Sequence, residues 1–176
     1  MPYKQYIPGT IVRSPIYGTC CIIGMVTSSE KDAPKCHLYS FHHDLFAIRK
    51  MTNLTAISGP EKDLLEKAKH HILKHITPSD DPTAIPIGTM IHNKINGQIF
   101  EYIILANQQI RNDKRDYLVA YHPLPQTTHD ENWLFSYESE ISPIFRNSIH
   151  IDPSDRTIKL AKELLLNNVI VPAFVI

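Results

Sequence analysis

The side chains here best able to do chemistry are thiols and imidazoles. Cys20, Cys21 and Cys36 supply the thiols, and Cys36 is followed directly by His37. A thiol becomes a nucleophile when a nearby base takes its proton, which invites a catalytic reading of Cys36-His37. Adjacent residues of a strand point to opposite faces, however, so these two cannot act on one another. Three cysteines with two adjacent do not make a disulfide framework either. Metal binding could recruit His37, His42, His43, His70, His71 or His75. His71 and His75 lie one helical turn apart, which is ligand spacing, but the glutamate of the zinc-protease pattern is missing and there is no Cys-x-x-Cys pair. The six glycines are scattered, so no loop cradles a phosphate. The sequence carries no complete catalytic motif and calls for neither a metal nor a cofactor.

Charge bounds the partners. Lysine plus arginine and aspartate plus glutamate are 18 each, so no overall basic field gathers polyanions. A local basic face remains as an alternative, built from Lys69 and Lys74 on a helix and from Arg111, Lys114 and Arg115, with nucleic acid as the partner. The opening Met1-Pro2-Tyr3-Lys4 lacks the pattern of a signal peptide, and no apolar run reaches the roughly 20 residues that span a bilayer. A soluble protein of the reducing cytosol is expected.

Aromatic and histidine side chains give the third set: Tyr17 and His42 in the first half, and Tyr121, His122, Trp133 and Tyr137 in the second. Trp133 follows the polar run Thr127-Thr128-His129-Asp130-Glu131-Asn132 and is expected at that loop's exposed edge. An exposed tryptophan is a typical anchor for a protein partner.

What positions these residues is a repeat. Pro8-Gly9-Thr10-Ile11-Val12 is echoed by Ile87-Gly88-Thr89-Met90-Ile91, and Tyr17-Gly18 by Asn96-Gly97. Lys35 to His42 lies against Arg115 to His122, Leu45-Phe46 against Leu134-Phe135, and Lys67-Ala68-Lys69 against Leu160-Ala161-Lys162. In the first copy, β-branched and apolar runs predict strands at Ile11-Val12, Thr19 to Thr27, His37 to His42, Leu45 to Ile48 and Leu54 to Ile57. Pro60 and the spacing of Leu64, Leu65, Ala68 and Ile72 predict a helix from Glu61 to His75. In the second copy, strands are expected at Ile99 to Leu105, Tyr117 to Tyr121, Trp133 to Tyr137 and Ile141 to Phe145. A helix capped by Asp152 or Ser154 follows. The apolar end from Val169 to Ile176 is expected to pair as a further strand.

About five short strands with Gly-rich turns and a closing helix resemble the Tudor-like class of small β-barrels. The resemblance implies a five-stranded barrel or sheet in each copy. It also implies a place where Phe41, Phe46, Tyr121, Trp133, Phe135 and Tyr137 would present an aromatic cage to methylated cations. The expected organisation is a mainly β tandem: residues 1–77, a linker at 78–84, and residues 85–176. The expected function is non-catalytic binding of another protein, as an adaptor, inhibitor or immunity-type protein, through loops of the second copy and the groove between copies. A nucleic-acid-binding protein and a histidine-dependent metal protein or hydrolase are the alternatives.

Overall fold

A computed structural model of the chain describes residues 7–26, 35–76, 83–110, 114–124 and 133–166, the side chains of 25–26, 72–76 and 109–110 excepted. The strands are β1 (Ile11–Ser14), β2 (Gly18–Val26), β3 (Lys35–Ser40), β4 (Leu45–Lys50) and β5 (Thr55–Ser58), followed by helix α1 (Lys62–Ile76). Then come β6 (Met90–Ile95), β7 (Gln98–Ile110), β8 (Lys114–Leu124), β9 (Leu134–Ser139), β10 (Ile149–Ile151) and helix α2 (Asp155–Leu164). The chain divides into two compact units, one built on β1 to β5 and α1, the other on β6 to β10 and α2. The fold is mainly β with short helices. No helix among the described residues is long and apolar enough to cross a membrane. Most of the expected linker and the expected terminal strand lie outside the described residues.

Each unit is one antiparallel five-stranded sheet, ordered β4-β3-β2-β1-β5 in the first and β9-β8-β7-β6-β10 in the second. Both orders are linear and neither sheet closes on itself, so the expected alternative of a barrel gives way to open sheets. Their local geometry corresponds closely. Gly9 and Gly88 have φ of 88° and 87°. Their amides donate to the carbonyls of Ile22 and Ile104 at 2.8 and 2.9 Å. Thr10 and Thr89 turn their hydroxyls back onto the carbonyls of Ile7 and Pro86, at 2.6 and 2.7 Å. In each sheet the pairing of the second and third strands slips by one residue, between Ile22 and Gly24 and between Ile104 and Ala106, leaving Ile23 and Leu105 as buried bulge residues.

These ladders test the sequence matches one by one. The Gly-Thr match holds. Leu45-Phe46 and Leu134-Phe135 also correspond, since they pair with Ser40-Tyr39 and Tyr121-Ala120. The other two strand matches shift, and the helix match of Lys67-Ala68-Lys69 with Leu160-Ala161-Lys162 lies outside the ladders. Gly18 pairs with Ser14, whereas Gly97 sits in a two-residue turn two pairs further along a longer hairpin. Leu38 faces Ile22 as Val119 faces Ile104, so Leu38 corresponds to Val119 and not to Leu118. The residue matching His122 is therefore Phe41, not His42. A slip of one residue moves a side chain to the other face of the sheet.

The two faces have separate cores. On one face of the first sheet, Val12, Cys20, Ile22, Cys36, Leu38 and Ala47 pack with Met51 and Leu54. The corresponding face of the second sheet packs Ile91, Tyr102, Ile104, Tyr117 and Val119 with Ile144. Met51 and Ile144 belong to 3-10 turns, Met51–Asn53 and Pro143–Phe145, each preceding the last strand. This corrects the strand expected at Ile141 to Phe145: the Ser142 hydroxyl accepts from the Ile144 amide and Pro143 cannot join a ladder as donor, so the chain turns there. The last strand forms instead at Ile149–Ile151, opposite His92 to Met90.

The other faces carry the helices. Leu65 of α1 packs on Ile11 and Cys21, with Phe41 and Leu64 against them. Ala161 and Leu164 are the buried residues of α2, which packs on β7. The first turns of both helices press against the glycines that open the sheets. The Glu61 amide donates to the Gly9 carbonyl at 3.0 Å. A Cβ on Gly88 would lie 2.9 Å from both the amide nitrogen and the Cγ1 of Ile158. Gly88→Ala should therefore lower the unfolding free energy by about 3 kcal/mol or more, from the left-handed backbone and the clash together. Gly97→Ala, with φ 81° but nothing within 4 Å, should lose only about 1–2 kcal/mol. Urea unfolding of the two variants checks the difference.

His37 is fully buried, with its ring 5.7 Å from that of Phe46. Burial pulls its pKa down to about 3. The unfolded chain therefore takes up a proton that the folded chain refuses, and the stabilising effect is complete only above the unfolded value near 6.5. The urea midpoint should fall as pH is lowered from 7 toward 5. His37→Leu, which copies Leu118 at the corresponding place in the second sheet, should flatten that fall relative to the parent.

Candidate functional site

Cross-strand register builds one row of side chains that stands apart from the apolar cores. In the second sheet, Ile149 of β10 lies opposite His92 of β6, His92 opposite Glu101 of β7, and Glu101 opposite His122 of β8. Trp133, just before β9, completes the row, its ring meeting that of His122 edge-on at 4.3 Å and 87°. Residues paired across strands share a face, so the row lies on the side that bears α2.

Glu101 ties the row together. One carboxylate oxygen receives His92 Nε2 at 2.7 Å and the other receives His122 Nε2 at 3.1 Å. The second nitrogen of His122, Nδ1, faces the carbonyl of Pro123 at 3.0 Å. The Glu101 side chain is 22% exposed and that of His122 5%, so the pair sits in a partly dehydrated setting where a hydrogen bond is stronger than in water.

A cleft of about 330 Å³ opens over this row. Glu101, His122, Trp133 and Met90 form its floor, and Ser154, Arg156, Thr157 and Leu160 of the first turns of α2 form its roof. The roof is held by a reciprocal cap: the Ser154 amide donates to the Thr157 hydroxyl at 2.8 Å and the Thr157 amide to the Ser154 hydroxyl at 3.3 Å. Of the two expected caps, Ser154 is thus the one used.

In the first unit the corresponding row is Thr55, Arg13, Thr19, Phe41 and Asp44. No His-Glu-His chain forms there. Phe41 takes the place of His122 and packs with Leu64 against Ile11, Cys21 and Leu65. Asp44 accepts from the Tyr39 hydroxyl and lies 3.6 Å from His71 Nδ1. A hollow of this unit, about 440 Å³, is lined by Pro8, Gly9, Pro60, Glu61 and the first two turns of α1, and by none of the row.

The aromatic set expected from sequence is dispersed by this geometry. Trp133 is only 5% exposed, which overturns its expected place at an exposed loop edge; the loop before it, residues 125–132, lies outside the described residues. Tyr137 is on the same face, its phenol raised well above the usual range by burial and by Asp116. Tyr121 is on the opposite face, stacked on Tyr102 at 5.3 Å. Tyr17 holds the Arg49 guanidinium over its ring and accepts from Arg49 Nη2 at 2.8 Å. His42 is exposed beside His43. Phe46 and Phe135 are each 2% exposed, and Phe41 packs edge-on to Tyr39, so these rings are core and form no open cage.

The basic set is equally divided. Lys69 pairs with Glu66 at 3.2 Å, Arg115 donates to Asn107, and Lys114 is exposed. Arg111 and the Lys74 side chain lie outside the described residues. The three thiols are buried, and burial pushes Cys20 up to about 11 and Cys21 and Cys36 up to about 12, far from a nucleophile's range. Among the described residues no three His, Cys, Asp or Glu side chains are placed to hold a metal.

Comparison with protein-family models, with curated proteins and with solved structures returned no match. The residues missed in the sequence are therefore read from geometry alone: His92, Glu101 and Arg156. Glu101 was the available signal, as the one charge inside the apolar run from Ile99 to Leu105. Because Trp133 forms the wall on which His122 rests, Trp133→Ala should lower stability by about 3–5 kcal/mol. Chemical denaturation measures this, and a loss under about 1 kcal/mol would show a peripheral ring.

Proposed function

We propose that this protein is a duplicated, Tudor-like pair of β units that acts by binding another protein, with the second unit as the binding copy. Duplication is supported by the shared strand order, the Gly-Thr strand start, the bulge after the same residue and the helix seated on the opening glycine. Four strands in a meander, with the fifth returning beside the first, fit the Tudor-like resemblance.

One observation carries the functional reading. Two units alike in geometry differ in chemistry at the row beneath the helix, where Phe41 packs against Ile11, Cys21 and Leu65 in the first unit while Glu101 and His122 line a cleft in the second. Polar side chains beneath a helix give up apolar burial that the same fold can have, as the first unit demonstrates. Exchange of that burial for a ligand-facing surface is the economical account of the difference. An adaptor, inhibitor or immunity-type protein would use such a unit, and three buried free thiols suit a reducing cytosol.

The test is capture from native lysate by tagged protein, with and without nuclease, comparing the parent with Arg156→Glu and Lys114→Glu. A stoichiometric protein that survives nuclease, is lost with Arg156→Glu and is retained with Lys114→Glu supports the reading. Capture that ignores the cleft variant overturns it. Material lost with nuclease and with Lys114→Glu replaces it by nucleic-acid binding.

A further inference from the structure

The chemistry of the cleft in the second unit narrows what it would take. Its fixed anion, Glu101, already has both oxygens engaged by His92 and His122. Arg156 on the roof makes no ion pair or hydrogen bond among the described residues. Both ring nitrogens of His122 are engaged as well, by Glu101 and by the Pro123 carbonyl, so Arg156 is the charged group at the cleft still open to a ligand. Asp152 and Asp155 are exposed and do not line it. A planar guanidinium with five N–H donors and no partner suits a carboxylate, which it can grip through two parallel bonds. Met90, Leu160 and Trp133 supply apolar wall beside it, which a bare inorganic anion would leave unused.

From these features we infer that the cleft binds a carboxylate carried on an apolar segment, an acidic side chain or chain end of the partner, with Arg156 as the gripping cation. The His92-Glu101-His122 chain is the positioning element: Glu101 holds the His122 ring upright against Trp133 and so keeps the floor open. In the first unit Phe41 stands where His122 does, and the same space is packed. This inference rests on the binding reading above and gives it a ligand class.

The experiment is an NMR titration of the full chain with four probes: a short peptide of leucine and glutamate, the same peptide with glutamine for glutamate, one with lysine for glutamate, and inorganic phosphate. The acidic peptide should shift the Trp133 indole N–H and the amides of residues 154–157, and bind at least tenfold more tightly than the glutamine form. Arg156→Gln should remove most of that preference. His122→Phe, which installs the first unit's own residue and so keeps a packing the fold accepts, should abolish the shifts. Equal binding of the acidic and neutral peptides, stronger binding of the lysine form, an equal response to phosphate, or shifts confined to other residues would each overturn the assignment. If the acidic peptide fails while lysate capture still depends on Arg156, only the ligand class is wrong; if both fail, the binding reading falls with it.

Discussion

The seat of each helix on a glycine is the constraint from which the rest of the molecule follows. Gly9 and Gly88 adopt a left-handed backbone that turns the chain into its first strand, and the missing side chain leaves room for the start of a helix, closely at Gly9 and so tightly at Gly88 that a Cβ would clash with Ile158. At Gly9 the contact includes the hydrogen bond from Glu61, so the sheet's opening residue also receives the amide at the start of α1. Once a helix is fixed at this point, its first turn must overhang the neighbouring cross-strand row. Whatever side chains occupy that row are then either buried by the helix or become the floor of a cleft beneath it.

Much of this architecture is written in alternation. Glycine followed by threonine marks both strand starts, because one supplies the turn and the other a hydroxyl that closes it. Leu45-Phe46 and Leu134-Phe135 fall in register because each pair opens the fourth strand of its sheet. The match of His42 with His122 fails for a specific reason: the β6–β7 hairpin is longer than the β1–β2 hairpin and changes the count of residues between strands, which leaves no mark in composition. The 3-10 turn at Pro143–Phe145 was hidden similarly, since Ile141 to Phe145 is apolar enough for a strand and only Pro143 argues against it.

The site was harder to read because its members are far apart in sequence. His92, Glu101, His122 and Trp133 come from β6, β7, β8 and the start of β9, and only the sheet register sets them side by side. Trp133 drew attention from sequence for the polar loop before it, but that loop says nothing about which way the ring faces. Residues 133, 135 and 137 share a face by the two-residue period, and Phe135 is core, so Trp133 follows it inward. Tyr121, by contrast, is next to His122 and is therefore turned to the opposite core.

The comparison of the two rows gives the energetics a direction. Phe41, packed with Leu64, shows that an apolar side chain at this position is compatible with the strand order, the bulge and the helix seat. Burying His122 and most of Glu101 instead trades hydrophobic stabilisation for a pair that must stay hydrogen-bonded. Breaking such a pair is strongly unfavourable, whereas replacing it by well-packed apolar groups is often neutral or favourable, so stability alone does not account for it. Its consequence is positional: a ring kept upright, a tryptophan held behind it, and across the gap an arginine with no ion pair or hydrogen bond among the described residues.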